Sequence, residues 1–404
     1  MLPTLVREYL LCGHLIDRAG MPHLISQFGR ETMAAIAIDE WMGASPVYSK
    51  RTQRALDFEG DSVETIFKNI QIDIGSPPQF MDFRFAITDR DHGEFWLDHC
   101  GALMDVEPMG DEFVHSMCHD IEDPTFDATA TAANARAQVR PIHRPPRTPA
   151  DRSPHCAWTV IIDESHPELP VPQQAKDMWA TTLAQVVLDD IDPADDGRSD
   201  YSDPMLDDLR FEDFSRSALV RIAQEVCIQW HLLSQAFRRS TGKFAHSEQL
   251  VTDIFRRQFT GIAGLTAERL KAALGLGDDL DAVAQVLELH PAFLPRSYID
   301  LDLDLSDGRL VIHLEPGVGP TADGDWVTTL SADHLEPLDA IVRGVNPSFR
   351  CDVVGGVGRD GLAVEVVMDD SPAKEAGEVA LTRFSTGADF HWVDRGTPVR
   401  IATG

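Results

Sequence analysis

The chain has 404 residues, 43% of them apolar and 25% charged, and its 66 acids against 35 lysines and arginines leave a formal net charge of −31. That length exceeds what one hydrophobic core ordinarily serves, so two or three domains are expected. The negative field repels phosphate backbones, no stretch approaches the run of about 20 apolar residues that spans a bilayer, and the N-terminus lacks a basic region ahead of an apolar core, so nucleic acid and membrane are not expected as partners and a cytoplasmic location is.

From the N-terminus, LVREYLLCGHLIDRAG, MPHLISQFGRETMAAIAIDEW and GDSVETIFKNIQIDIG carry apolar residues three and four apart, which predicts helices to about residue 72. MDFRFAITD and GEFWLDHCGALMDV then alternate around Arg90-Asp-His92, the signature of a β-hairpin. A helix is predicted from near Gly110 to Asp123, stopped by Pro124. ARAQVRPIHRPP and AWTVIID read as two further strands joined by a Pro/Arg loop, and HPELPVPQQ reads as a linker.

Beyond the linker, AKDMWATTLAQVVLDDI reads as a helix, and DPADDGRSDYSDPMLDD as an exposed acidic loop. SRSALVRIAQEVCIQWHLLSQAFRR repeats Leu219, Ala223, Val226, Trp230, Leu233 and Phe237 at helical spacing, and helical patterning runs on to about His290. Cys227 and His231 lie inside that repeat and read as a satisfied core pair. SYIDLDLDLSDGRLVIHLEP alternates around Ser306-Asp-Gly308, a second hairpin. A helix in SADHLEPLDAIVRGV and strands in RCDVVGG and LAVEVVMDD follow. Hairpin, helix, strand, strand thus occurs in both the N- and C-terminal parts, an echo read as coincidence because no fixed-period repeat accompanies it.

The expected fold is therefore α+β: residues 1–165 a ligand- or metal-binding unit of helices plus antiparallel sheet, 175–295 a mainly helical unit, and 296–404 a small α+β unit. The glycine runs GGVG (355–358) and GVGP (317–320) lack the strand–GxGxxG–helix order of a dinucleotide site.

The densest chemistry is HSMCHDIEDPTF, residues 115–126. At 100° per residue His115, Cys118, His119 and Glu122 fall on one stripe beside the core stripe of Val114, Met117 and Ile121. Two imidazoles and a thiol one turn apart suit zinc, with Cys100, His143 and Cys156 on neighbouring elements as further ligands. The same stripe can equally wall a metal-free polar pocket or face water. HSMCH has His115 where covalent haem attachment needs a cysteine. Glu122 and Asp123 are the candidate proton-transfer groups. Arg140 and Arg144, on one face of a strand with Arg136, can grip an anionic ligand or pair with the chain's own acids. The six cysteines (12, 100, 118, 156, 227 and 351) are too sparse for a disulfide framework and fit thiols or metal ligands.

The order of strand ending in Cys100, helix with Cys118, strand with His143 and strand opened by Cys156 resembles the 4-vinyl-reductase-like and L-2-amino-thiazoline-4-carboxylic acid hydrolase-like family of small-molecule-binding domains. The resemblance spans residues 1–165, with His143 standing where the family has a thiol. It implies a ligand pocket between sheet and helix, and hydrolytic opening of a small heterocycle. The function expected from all of this is a hydrolase acting on a small anionic molecule. The alternative is a non-catalytic sensor or accessory protein that meets a partner, or another copy of itself, through its helical middle.

Overall fold

A computed structural model of the chain describes residues 1–354 and 361–401, so the glycine run 355–358 lies outside the described residues. The fold is α+β, with two four-stranded antiparallel sheets. The first half runs α1 (Leu2–Phe28), α2 (Arg30–Ala55), α3 (Val63–Ile70), β1 (Met81–Ile87), β2 (His92–Cys100), α4 (Gly101–Val106), α5 (Asp111–His115), α6 (Glu122–Ala130), β3 (Ala137–His143), β4 (Cys156–Ile162) and α7 (Gln173–Trp179). The second half repeats that order with α8 (Arg216–Gly242), α9 (Glu248–Leu274), α10 (Leu280–Leu289), β5 (Asp300–Ser306), β6 (Arg309–Glu315), α11 (Val318–Asp323), α12 (Glu336–Val345), β7 (Phe349–Val353), β8 (Leu362–Met368) and α13 (Gly377–Thr382).

The sheets share one strand order, β1-β2-β4-β3 and β5-β6-β8-β7. Helix packing is reciprocal as well: α1 lies on α9 as α8 lies on α2, while α6 covers α2 as α12 covers α9. The echo read as coincidence in the sequence is thus an architectural repeat. Its apolar positions keep the pattern of the fold while the residues filling them differ, so no fixed sequence period betrays it.

Local signals explain most element ends. Ser62, Ser215, Ser247 and Asp279 cap α3, α8, α9 and α10, each side chain accepting the backbone N–H three residues on. Asp307 (φ 52°) and Gly308 (φ 73°) supply the two left-handed positions of a tight hairpin turn between β5 and β6. In β4 the inward Cys156, Trp158, Val160 and Ile162 alternate with outward residues, as a sheet with one covered face requires.

The long helices meet at small residues. A Cβ on Gly13 would lie 2.7 Å from the Trp230 indole nitrogen, and one on Gly20 2.7 Å from the Phe237 ring. Two glycines seven apart on α1 therefore seat two aromatic residues seven apart on α8. Trp230 Nε1 also donates to the Tyr9 carbonyl at 2.7 Å. The helices expected as a separate middle unit spend their apolar faces on α1 and α2, and one contiguous core runs through both halves.

Two sequence expectations fail here. The helix expected over AKDMWATTLAQVVLDDI stops at Trp179. Asp323 accepts the N–H groups of Thr182 and Leu183, each at 2.9 Å, and Arg51 donates to the carbonyls of Ala184 and Val186. Tertiary partners thus take the backbone groups a helix would have used. The acidic segment 192–208 is not simply exposed: Tyr201 and Met205 are buried, and the Tyr201 hydroxyl donates to Gln71 Oε1 at 2.7 Å.

Candidate functional site

The HSMCHDIEDPTF segment lies on one continuous helical run, from α5 through a π turn (Ser116–Ile121) into α6. The helix does not stop before Pro124, as the sequence suggested, but continues to Ala130. The wider π turn just ahead of the proline relieves the clash and the lost hydrogen bond that would break a regular helix. Thr125 Oγ1 then donates to the Ile121 carbonyl at 2.7 Å.

That same turn splits the expected stripe, because residues advance by less than 100° through it. His115 and His119 stack at 4.2 Å between ring centroids near the surface, and the His115 side chain is 57% exposed. His119 Nε2 donates to the Pro145 carbonyl at 2.7 Å. Cys118 faces the core, and the Glu122 carboxyl is turned inward.

Cys100, Cys118 and Cys156 are all buried in the first half, close enough for Cys118 to feel the charge of the other two and of Glu122. Burial first, then Glu122, pushes the Cys100 thiol up to about 12 and raises Cys118 and Cys156 too, so these thiols are inert rather than nucleophilic. Cys100 caps α4, accepting from Leu103 N at 3.3 Å. His143 is half-buried at the end of β3, its pKa lowered by desolvation and by Arg152. The expected zinc ligands are thus divided: the histidines of the helix point outward and the thiols inward. Among the described residues no group of three or more His, Cys, Asp or Glu side chains is gathered to hold a metal ion. The structure does not bring the expected ligand set together.

The two arginines expected to bind substrate pair with the chain's own acids. Arg140 reaches both oxygens of Asp127 at 2.9 Å, and Arg144 binds Asp123 while lying over the Trp158 ring. Asp123 is thereby an ion-pair partner at the surface.

Glu122 alone of the proposed catalytic pair opens into a cavity of about 110 Å³, partly open to solvent and lined by residues of α1, α2, the α3–β1 connection, the start of β1, α4 and the π-turn helix. Its apolar wall includes Trp41, Met81, Phe83, Met117 and Phe126, and its polar wall includes His14, Asp17, Arg18, Tyr48 and Asp73. Oε2 of Glu122 is buried without a hydrogen-bond partner. Burial pushes this carboxyl up to about 8, Arg144 opposing and Asp123 adding to the shift. Asp73 is raised to about 6 by burial, against the pull of the Gly75 N–H and of the Tyr48 hydroxyl, which donates at 2.8 Å.

Arg18 is buried at 1% exposure and its guanidinium is shared: Nε to Asp105 at 3.3 Å, one terminal nitrogen to Asp17 at 3.4 Å, the other to His14 Nε2 at 3.4 Å. Since arginine only donates, His14 Nε2 accepts and the proton of the neutral ring sits on Nδ1, on the side of the Ile74 and Gly75 backbone. Burial, then Arg18, holds His14 well below the usual histidine range. Asp105 also accepts from Ser385 Oγ, Thr386 N and Thr386 Oγ1 at 2.5–2.8 Å, so the C-terminal segment braces this wall. Behind it Glu40 is fully buried and raised well above its ordinary value by burial and then by Asp17.

His14, Asp17, Arg18, Tyr48 and Asp73 were not singled out from the sequence. The available signal was polar residues at i, i+3 and i+4 inside the otherwise apolar run LLCGHLIDRAG. Comparison of the chain with protein-family models, with curated proteins and with solved structures finds no match. Among the described residues no helix is long and apolar enough to cross a membrane.

Proposed function

We propose that the chain is a small-molecule-binding protein whose ligand occupies the cavity between α1, α2 and the π-turn helix and is held at its polar end by Glu122. The observation that carries this reading is Glu122 Oε2, a buried carboxyl oxygen with no hydrogen-bond partner on a group that lines one largely apolar space. Leaving such an atom unpaired costs about 1–3 kcal/mol, a cost that a ligand with a matching group removes. A closed apolar cavity of about 150 Å³ takes benzene; this space, about 110 Å³ and partly open to solvent, suits a molecule of no more than one ring. A pocket between sheet and helix is also what the resemblance to the 4-vinyl-reductase-like family implies.

A second reading, hydrolysis by acid and base, draws support from Glu122 at about 8 and Asp73 at about 6 in one cavity. Two carboxyls driven apart in this way can hold and release a proton in turn. The raised thiols give no support to a covalent route, and binding without turnover requires fewer groups than the hydrolase does.

The test is saturation-transfer NMR with benzyl alcohol. Wild-type protein is expected to show transfer that disappears in Ala102→Leu and in Thr125→Leu, two independent fillings of the same space. No transfer in wild type, or transfer unchanged in both folded variants, overturns the reading.

A further inference from the structure

The cavity has an uneven charge inventory. Its lining holds three carboxyls, Asp17, Asp73 and Glu122, against one guanidinium, Arg18, among the described residues. Arg18 is already claimed by Asp17 and by Asp105, the latter outside the lining. Arg140 and Arg144, the nearest candidates to greet an anion, do not line the space and are paired with Asp127 and Asp123. The wall facing the carboxyls is aromatic and sulfur-rich, with Trp41, Phe83, Phe126, Met81 and Met117. Ring faces attract cations, and carboxylates bind them with charge-assisted hydrogen bonds.

We infer, on the reading that this cavity is a ligand site, that its ligand is a small organic cation: an amine or amidine on one apolar ring, received by the Glu122 carboxylate between the aromatic side chains. The anionic ligand expected from the sequence is the opposite choice: Arg18, the one guanidinium of the lining among the described residues, is already paired.

Proton balance follows directly. At neutral pH the free protein carries Glu122 as the carboxylic acid, since burial raises it to about 8. An ammonium ion entering the cavity pairs with the carboxylate, and the displaced proton leaves to solvent. No covalent bond is made or broken in the ligand. The groups that face Glu122 are Arg144, which favours its charge, and Asp123, Cys100, Cys118 and Cys156, which sense or oppose it. Across the cavity His14 is neutral and Asp73 titrates near 6. Cation affinity therefore rises about tenfold per pH unit up to about 8 and levels off above it.

Isothermal titration with benzylamine, benzyl alcohol and benzoate, near pH 7 and in two buffers of different ionisation enthalpy, separates the possibilities, because the three probes share size and differ in charge. The expected result is benzylamine bound at least about tenfold tighter than benzyl alcohol, no benzoate binding, and close to one proton released per benzylamine. Glu122→Gln should release no proton and lose about ten- to hundredfold in benzylamine affinity. The proton count on wild-type protein decides the matter even where that variant does not fold. Benzyl alcohol binding with benzylamine no tighter, or benzoate binding tightest, overturns the cation inference and leaves the cavity as a ligand site. No binding of any probe overturns both.

Discussion

Where the crossover from the second to the third strand meets the two long helices, the first half holds a cavity bounded by Asp17, Asp73 and Glu122, whereas the second half seats Trp326 against its helices, stacked on Phe259 at 4.5 Å and edge-on to Trp230 and His231. The polar groups differ in the same sense. In the second half His231, fully buried, has both ring nitrogens against oxygens, Asp325 Oδ2 at 2.8 Å and the Leu294 carbonyl at 3.0 Å. Asp325 takes a further bond from Gln235 at 2.9 Å, and Asp323 accepts Tyr298 at 2.9 Å. In the first half Glu122 and Glu40 have buried carboxyl oxygens with no partner. Trp326 Nε1 and Gln235 Oε1 of the second half also lack partners, but among the described residues the unpartnered buried carboxyls fall in the first half, so one architecture carries a version whose buried acids are paired and one whose are not. Unpaired buried carboxyls are a cost that structure alone does not explain, and they mark the first half as the place to look for a ligand.

The largest expected effects come from opening the second half. Trp326→Ala should cost about 3–5 kcal/mol in denaturant unfolding, because the void lies between two packed helices that cannot easily collapse. A loss well under 1 kcal/mol would mean that Trp326 is no filler. Asp325→Ala should cost a similar or slightly smaller amount, about 3 kcal/mol, by leaving His231 and Gln235 facing an empty acceptor position. Unchanged stability there would remove the contrast between paired and unpaired buried acids.

Glu122→Gln probes the first half with the opposite sign. The folded pKa of Glu122 lies above its ordinary value of 4.5, so between about 4.5 and 8 the folded chain keeps a proton that the unfolded chain has released. Wild-type stability should fall as pH rises through that window and flatten above it. The variant should match wild type near pH 5 and exceed it near pH 9 by an amount on the order of a few kcal/mol. Parallel stability curves for the two proteins would contradict a buried, neutral Glu122. The smallest effect belongs to His115→Ala combined with His119→Ala. These rings stack at the surface, so the change should stay within about 1 kcal/mol and leave benzyl alcohol binding intact. A loss of several kcal/mol would assign them a structural role their exposure does not suggest.

Much of this fold was readable from local pattern. Both hairpins, the strand pair β3–β4 and the helices α8 and α9 follow from alternation, turn residues and serine caps, all of which act within a few residues. Glu122 stood out in the sequence because it sits in a cluster of unusual chemistry, and the structure turns it into the cavity. Its neighbours in the cavity did not stand out, since Asp17, Arg18, Tyr48 and Asp73 come from segments that look like ordinary helix and loop until α1, α2 and α3 are packed. The proposed metal cluster shows the converse difficulty. His115, Cys118 and His119 share a stripe only on a regular helix, and the π turn before Pro124 sends the thiol inward and the imidazoles outward. The echo of elements was visible but read as coincidence, because the repeat lies in element order and packing, which no single residue records.

The most direct measurement is the carboxyl carbon-13 shift of Glu122 followed against pH, assigned by its loss in Glu122→Gln. A midpoint near 8 that falls when benzylamine is added is the expected result, since it shows a buried acid waiting for a cation. A midpoint near the ordinary 4.5, unmoved by the amine, would contradict both the neutral carboxyl and the site built around it.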